Sequence, residues 1–237
     1  MTKRLFPAIL ISGVAGGIVV SIMHAALLAP LMDFAEFLEM GARVEDYVAP
    51  QGIFTIAISN LEILLNTFAF DTLTGLAFAL IIGAGMVFQG RPVNLKTGLI
   101  WGFFGWFAFS LAPAFGQPPM PPGAAYVDLE ARQIWWWLCV ASTSAGIVLL
   151  VFIGDWGGEC TIQAGIRNGW WPKVVGALLV LLPHIIGAPE STQTASNIPA
   201  HLLRDFAFYS LISTFCFWQT IGGALGFMLG RGGQDEI

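Results

Sequence analysis

Residues 5–29 read LFPAILISGVAGGIVVSIMHAALLA, a run in which His24 is the one ionisable side chain. Crossing a hydrocarbon core about 30 Å thick takes roughly 17 to 25 apolar residues in a helix. In lipid the backbone must satisfy its own N–H and C=O groups, so a run this long and unbroken is a helix rather than a barrel strand. Met1-Thr2-Lys3-Arg4 ahead of it imitates a signal peptide. The apolar stretch, however, exceeds the roughly 7 to 15 residues of a signal core, and no clean Ala-x-Ala cleavage site follows. It is expected to remain as a transmembrane helix.

Five further blocks have the same character, at 67–88, 97–115, 135–154, 173–189 and 206–229, the fifth being the shortest. The expected fold is all-α: a polytopic bundle of about six transmembrane helices, forming one transmembrane domain over residues 1–237. Composition agrees, since 56% of the 237 residues are hydrophobic and 11% charged, against about a quarter charged in soluble domains. The expected location is the inner (plasma) membrane, as a multi-pass protein, with the lipid bilayer as first partner.

Several function classes are disfavoured. A net charge of −5 offers no basic patch to nucleic acid, and no Walker or dinucleotide glycine motif appears. Cys139, Cys160 and Cys216 lack paired spacing, so no disulfide framework is indicated. No HxxxH, CxxC or HExxH site exists, nor a Ser-His-Asp set, so an enzyme is not expected and no tightly bound cofactor is implied.

Basic residues set the orientation. With both termini in the cytoplasm, Lys3, Arg4, Arg91, Lys96, Arg167, Lys173 and Arg231 lie inside and Arg43, Arg132 and Arg204 outside. Eleven of the fifteen acids then face outward, among them Asp33, Glu36, Glu39, Glu62 and Asp71. Such a surface concentrates cations over about 10 Å, although acids are also simply tolerated there. Asp33, Glu36, Glu39 and Arg43 are spaced as one polar stripe on a helix, where carboxylates one turn apart can share a hard cation. The same spacing suits a solvated face braced through Glu39 and Arg43.

Ala29-Pro30, Pro113 and Pro183 are expected near the outer ends of the first, third and fifth helices. The stretches 111–118 and 182–189 read alike, which would make the last two hairpins parallel repeats. His24 and His184 lie within spans, where an ionisable group needs a partner. A neutral imidazole can ligate a borderline divalent metal, and it can equally bond to backbone carbonyls, such as the one that Pro183 frees. Glu62, Asn66 and Asp71 are placed at the mouth of the second helix, as a vestibule or as caps. Trp135-Trp136-Trp137 read as an interfacial belt. Residues 116–123 form a stiff proline turn with the Met120 thioether at its tip. The candidate metal contacts are thus His184, His24, Glu36, Glu39 and Met120.

Taken together, these stretches resemble the CbtA-type probable cobalt transporter subunits linked to cobalamin metabolism. The likeness is carried by Pro30 with Ala35-Glu36 and Glu39, by Trp101-Gly102 through Pro113, and by Gly116 to Gly123 with Arg132-Gln133 and Trp135-Trp136. It continues through Leu182-Pro183-His184, Gly187-Ala188-Pro189, and Pro199-Ala200 to Phe217-Trp218. One departure is Met120, where members of the family carry a glutamate. The resemblance implies Co2+ as the transported ion and a small single-span CbtB-type partner with a histidine-bearing tail. A homo-oligomer stays open, and so does a non-transporting scaffold that binds such a partner.

Overall fold

In the computed structural model the described residues are 2–41, 43–48, 61–90, 92–124, 128–153, 170–190 and 198–230. Arg91, Arg167, Arg231 and Cys160, used above for orientation and cysteine pairing, lie outside them.

Six long helices and a short 3-10 turn at Val44–Asp46 make up the regular structure of the described residues, with no strand among them. Helix α1 runs through Thr2–Met23, a π turn at His24–Leu28 and Ala29–Glu39. Helix α2 is Leu61–Phe88, and α3 is Leu95–Trp106 continued by a π turn at Phe107–Leu111 and by Ala112–Ala114. Helix α4 is Leu129–Ile147 with a π turn at Val148–Ile153, α5 is Trp171–Ile186, and α6 is Ala200–Gly230. Five are long and apolar enough to cross a membrane. The sixth, α5, has 16 residues, about 24 Å of helix against a core of about 30 Å.

The first helix does not end at Pro30. A proline cannot donate to the ladder, but the π turn just before it has already re-phased that ladder, with the Ala29 N–H reaching the His24 carbonyl. The helix therefore continues to Glu39 and spans 36 residues from Arg4, about 54 Å. The same device, a π turn at Phe107–Leu111, carries α3 past Pro113. Helix α5 passes Pro183 without one and stops at Gly187, whose φ of 90° suits glycine.

Glycine seams hold the bundle. Gly13 lies on Leu76 and Gly17 on Thr72, where an added Cβ would stand 2.6 Å from the Thr72 Cα. Gly98 meets Gly222 and Gly226, while Gly146 meets Gly176. Lipid is as apolar as the side chains, so close backbone approach and dispersion, rather than water exclusion, drive this packing. These registers make α1 antiparallel to α2, α3 to α6 and α4 to α5. Ile9, Ile82, Met86, Ile221 and Leu225 belong to the core cluster shared by α1, α2 and α6. Directions alternate along the chain, so α1 begins and α6 ends at one end of the bundle, the terminal end. The far end carries Ala35 and Leu38 of α1 packed with Ile198 and Leu202.

The last two hairpins run in the same directions but take different neighbours. Helix α3 packs along α6, while α5 packs along α4, so the likeness of 111–118 to 182–189 is not a likeness of packing.

Candidate functional site

Between α1 and α2 the glycine seam gives way to a polar contact. Gly13, Gly17 and Ser21 recur one turn apart on α1, facing Asp71 and Gly75 of α2. The close approach set by the glycines brings the next turn of each helix within bonding reach. The Ser21 hydroxyl donates to Asp71 Oδ2 at 2.9 Å, and His24 Nδ1 lies 3.1 Å from the same oxygen. Beside them the Thr72 hydroxyl is buried with no hydrogen-bond partner among the described residues.

Asp71 is 6% exposed and lies ten residues beyond Leu61, about 15 Å into α2. It is not at the mouth of that helix, as the sequence suggested. Only Glu62 occupies the first turn, exposed and next to the positive end of the dipole. Burying a carboxylate at this depth is costly unless donors meet it, and Ser21 and His24 are those donors. With Asp71 as a carboxylate, which only accepts, this bond uses the Nδ1–H tautomer of His24. In the neutral form of that tautomer Nε2 keeps its lone pair, and no described residue bonds to it. This carboxylate–imidazole pair is the arrangement that fixes the tautomer and ring orientation of a metal-ligating histidine. The π turn starting at His24 adds a discontinuity of the kind that marks functional positions.

The other candidates lie elsewhere. His184, half-buried on α5, is approached edge-on by Phe115 and Trp135, each ring 6.0 Å away. Among the described residues it makes no hydrogen bond, neither to a carbonyl freed by Pro183 nor to His24. Glu36 and Glu39 are exposed on the far part of α1, and Glu39 packs against Gly123 of the proline turn. Met120 is half-buried in that turn, and Pro121 fully buried, so the turn is docked rather than projecting. Arg43 falls beyond the helix and pairs with Asp46 at 3.2 Å, not with Glu39. Asp33 accepts instead from Tyr47 at 2.8 Å. Burial, with this bond and the Asp33 charge, pushes the Tyr47 hydroxyl up to about 12. No group of three or more His, Cys, Asp or Glu gathers as a metal cage among the described residues.

The tryptophan run is mostly internal. Trp135 is 4% exposed and donates to the Pro113 carbonyl, Trp136 donates to the Phe109 carbonyl, and only Trp137 faces outward.

The family model described as "Probable cobalt transporter subunit (CbtA)" matches residues 2–230. The chain belongs to the CbtA family. No curated protein and no solved structure matches it. The match to this family takes in every helix, including the Ser21–His24–Asp71 contact. CbtA membership and five helices able to cross a membrane make the chain a multi-pass membrane protein of a family described as probable transporter subunits, which is not an enzyme class. Sequence reasoning singled out His24 but missed Asp71 and Ser21 as its partners. The available signal was the small-residue stripe Gly13, Gly17, Ser21, matched on α2 by Asp71, Gly75, Ala79 and Gly83.

Proposed function

We propose that this chain is the membrane-embedded subunit of a cobalt uptake system serving cobalamin metabolism, and that Co2+ in transit contacts His24 Nε2 while Asp71 and Ser21 hold the ring. The observation that carries this reading is the Ser21–His24–Asp71 contact, with Ser21 and Asp71 buried and His24 half-buried, in a chain of a probable cobalt transporter family. A neutral imidazole suits a borderline ion such as Co2+, and one ligand with exchangeable waters suits an ion that must also leave. In this reading both termini face the cytoplasm across the inner membrane, as the basic residues suggest. Exposed Asp33, Glu36 and Glu39 then stand at the outer face, where they raise the local Co2+ concentration.

Further ligands come from a small single-span CbtB-type partner, which supplies the histidines lacking near His24. His184 serves as packing between Phe115 and Trp135. A scaffold that only holds such a partner is the rival. Uptake of radiolabelled Co2+ by cells producing the chain with its partner separates the two. Transport requires uptake that falls at least tenfold in His24→Gln, whereas uptake indifferent to both His24→Gln and removal of the chain leaves only the scaffold.

A further inference from the structure

Helices α3 and α4 touch at the far end, through Trp135 on Pro113 and Trp136 on Phe109. Toward the terminal end an apolar groove opens between α3 on one side and α4 with α5 on the other. Its two compartments, about 570 and 380 Å³, share Phe103, Phe104 and Val151. Leu99 and Leu150 add to the walls, Val180 lies on the side toward α5, and Lys96 is the single charged residue lining it among the described residues. Lys96 is exposed and makes no bond among the described residues. Trp170 and Trp171, 76% and 47% exposed at the start of α5, mark the same end as a membrane interface.

Two features distinguish this groove from a seat for another helix. The tight helix seams described above are built on glycine, as close backbone packing in lipid favours, whereas among the described residues this groove is walled by Leu, Phe, Ile and Val with one small residue, Ala177, and no glycine. On α3 it runs from Leu95 to Phe107, about 18 Å along the axis. That is close to one leaflet, half of a core about 30 Å thick, and it stops where α3 and α4 meet. A spanning helix would need the full thickness. Flexible acyl chains need only one leaflet, with the phosphate at the interface where Lys96 stands.

We propose that this groove binds one anionic phospholipid of the bilayer, its acyl chains against Phe103, Phe104 and Val151 and its phosphate paired with the Lys96 ammonium. A juxtamembrane lysine adds roughly fivefold to the affinity for an anionic headgroup. The site is separate from the His24 contact and does not rest on the transport reading.

Native mass spectrometry of the full chain, released from detergent supplied with phosphatidylglycerol or phosphatidylcholine of equal chain length, tests it. Wild type is expected to retain one phosphatidylglycerol preferentially. Lys96→Gln should reduce that preference about fivefold and leave phosphatidylcholine unchanged, while Val151→Trp, which fills the groove, removes both. Should Val151→Trp fail to fold, the Lys96→Gln comparison decides alone. Equal retention of the two lipids by wild type, or an unchanged preference in Lys96→Gln, overturns the proposal. So does a photoreactive residue replacing Phe104 that captures a protein helix in native membranes instead of lipid.

Discussion

Asp71→Asn isolates the carboxylate from its volume. In the wild type, Asp71 Oδ2 accepts from Ser21 at 2.9 Å and from His24 Nδ1 at 3.1 Å. Hydrogen bonds to a charged acceptor contribute about 1.5–3 kcal/mol and neutral ones about 0.5–1.5, so the amide loses roughly 1 kcal/mol per bond. Against that, the neutral side chain no longer needs an ionised group desolvated at membrane depth, and replacing buried charge with neutral groups is often free of net cost. The two effects offset, and the melting transition in detergent should shift by less than about 1 kcal/mol equivalent. Function should change far more. An asparagine amide can donate to Nδ1 as readily as its oxygen accepts from it, so His24 loses its fixed tautomer. Loss of such an orienting partner weakens metal binding about 10- to 100-fold, or about 1.4–2.7 kcal/mol. Initial rates of radiolabelled Co2+ uptake over a range of concentrations should show the apparent KM raised by that factor, at unchanged protein level. An unchanged KM would refute the reasoning, and so would a rise accompanied by an equal loss of stability.

Gly75→Ala should cost about 1–3 kcal/mol of stability, because its Cβ would press on the Gly13 carbonyl across the seam. Gly223→Ala, whose Cβ would meet only the side chains of Leu99 and Leu95, should cost less than about 1 kcal/mol, and thermal melts of the two variants make the comparison. His184→Ala should lose the edge contacts to Phe115 and Trp135, about 0.5–1.5 kcal/mol each, and leave the KM for cobalt unchanged. The Tyr47 hydroxyl, held at about 12 against about 10 in an unfolded chain, contributes stability that is whole below pH 10 and lost as pH rises toward 12. Ultraviolet titration of wild type minus Tyr47→Phe should show that midpoint, and Asp33→Asn should bring it down.

The spans were legible because lipid leaves an apolar run of this length no alternative to a helix. Their ends were less so. Pro30 reads as a terminator, yet the π turn at His24–Leu28 carries α1 another eleven residues, to Glu39, and no composition rule announces a π turn. Arg43 was placed on the stripe of Asp33 and Glu39 for the same reason, since the spacing is right but the helix stops first. Gly13 and Gly17 marked a packing face without naming the helix that meets it, because partner choice depends on tertiary shape. That gap hid the central contact: His24 stood out as an ionisable group in a span, but Asp71 looked like a cap until the seam placed it opposite Ser21. Trp135 and Trp136 read as a lipid belt because their indole donors find the carbonyls of Pro113 and Phe109, respectively, only in the folded bundle.

X-ray absorption spectroscopy of the full chain loaded with Co2+ tests the His24 contact most directly. The expected result is scattering from an imidazole in the cobalt shell, lost in His24→Gln and retained in His184→Gln. A cobalt shell of oxygen alone, or an imidazole signal that survives in His24→Gln, would contradict it.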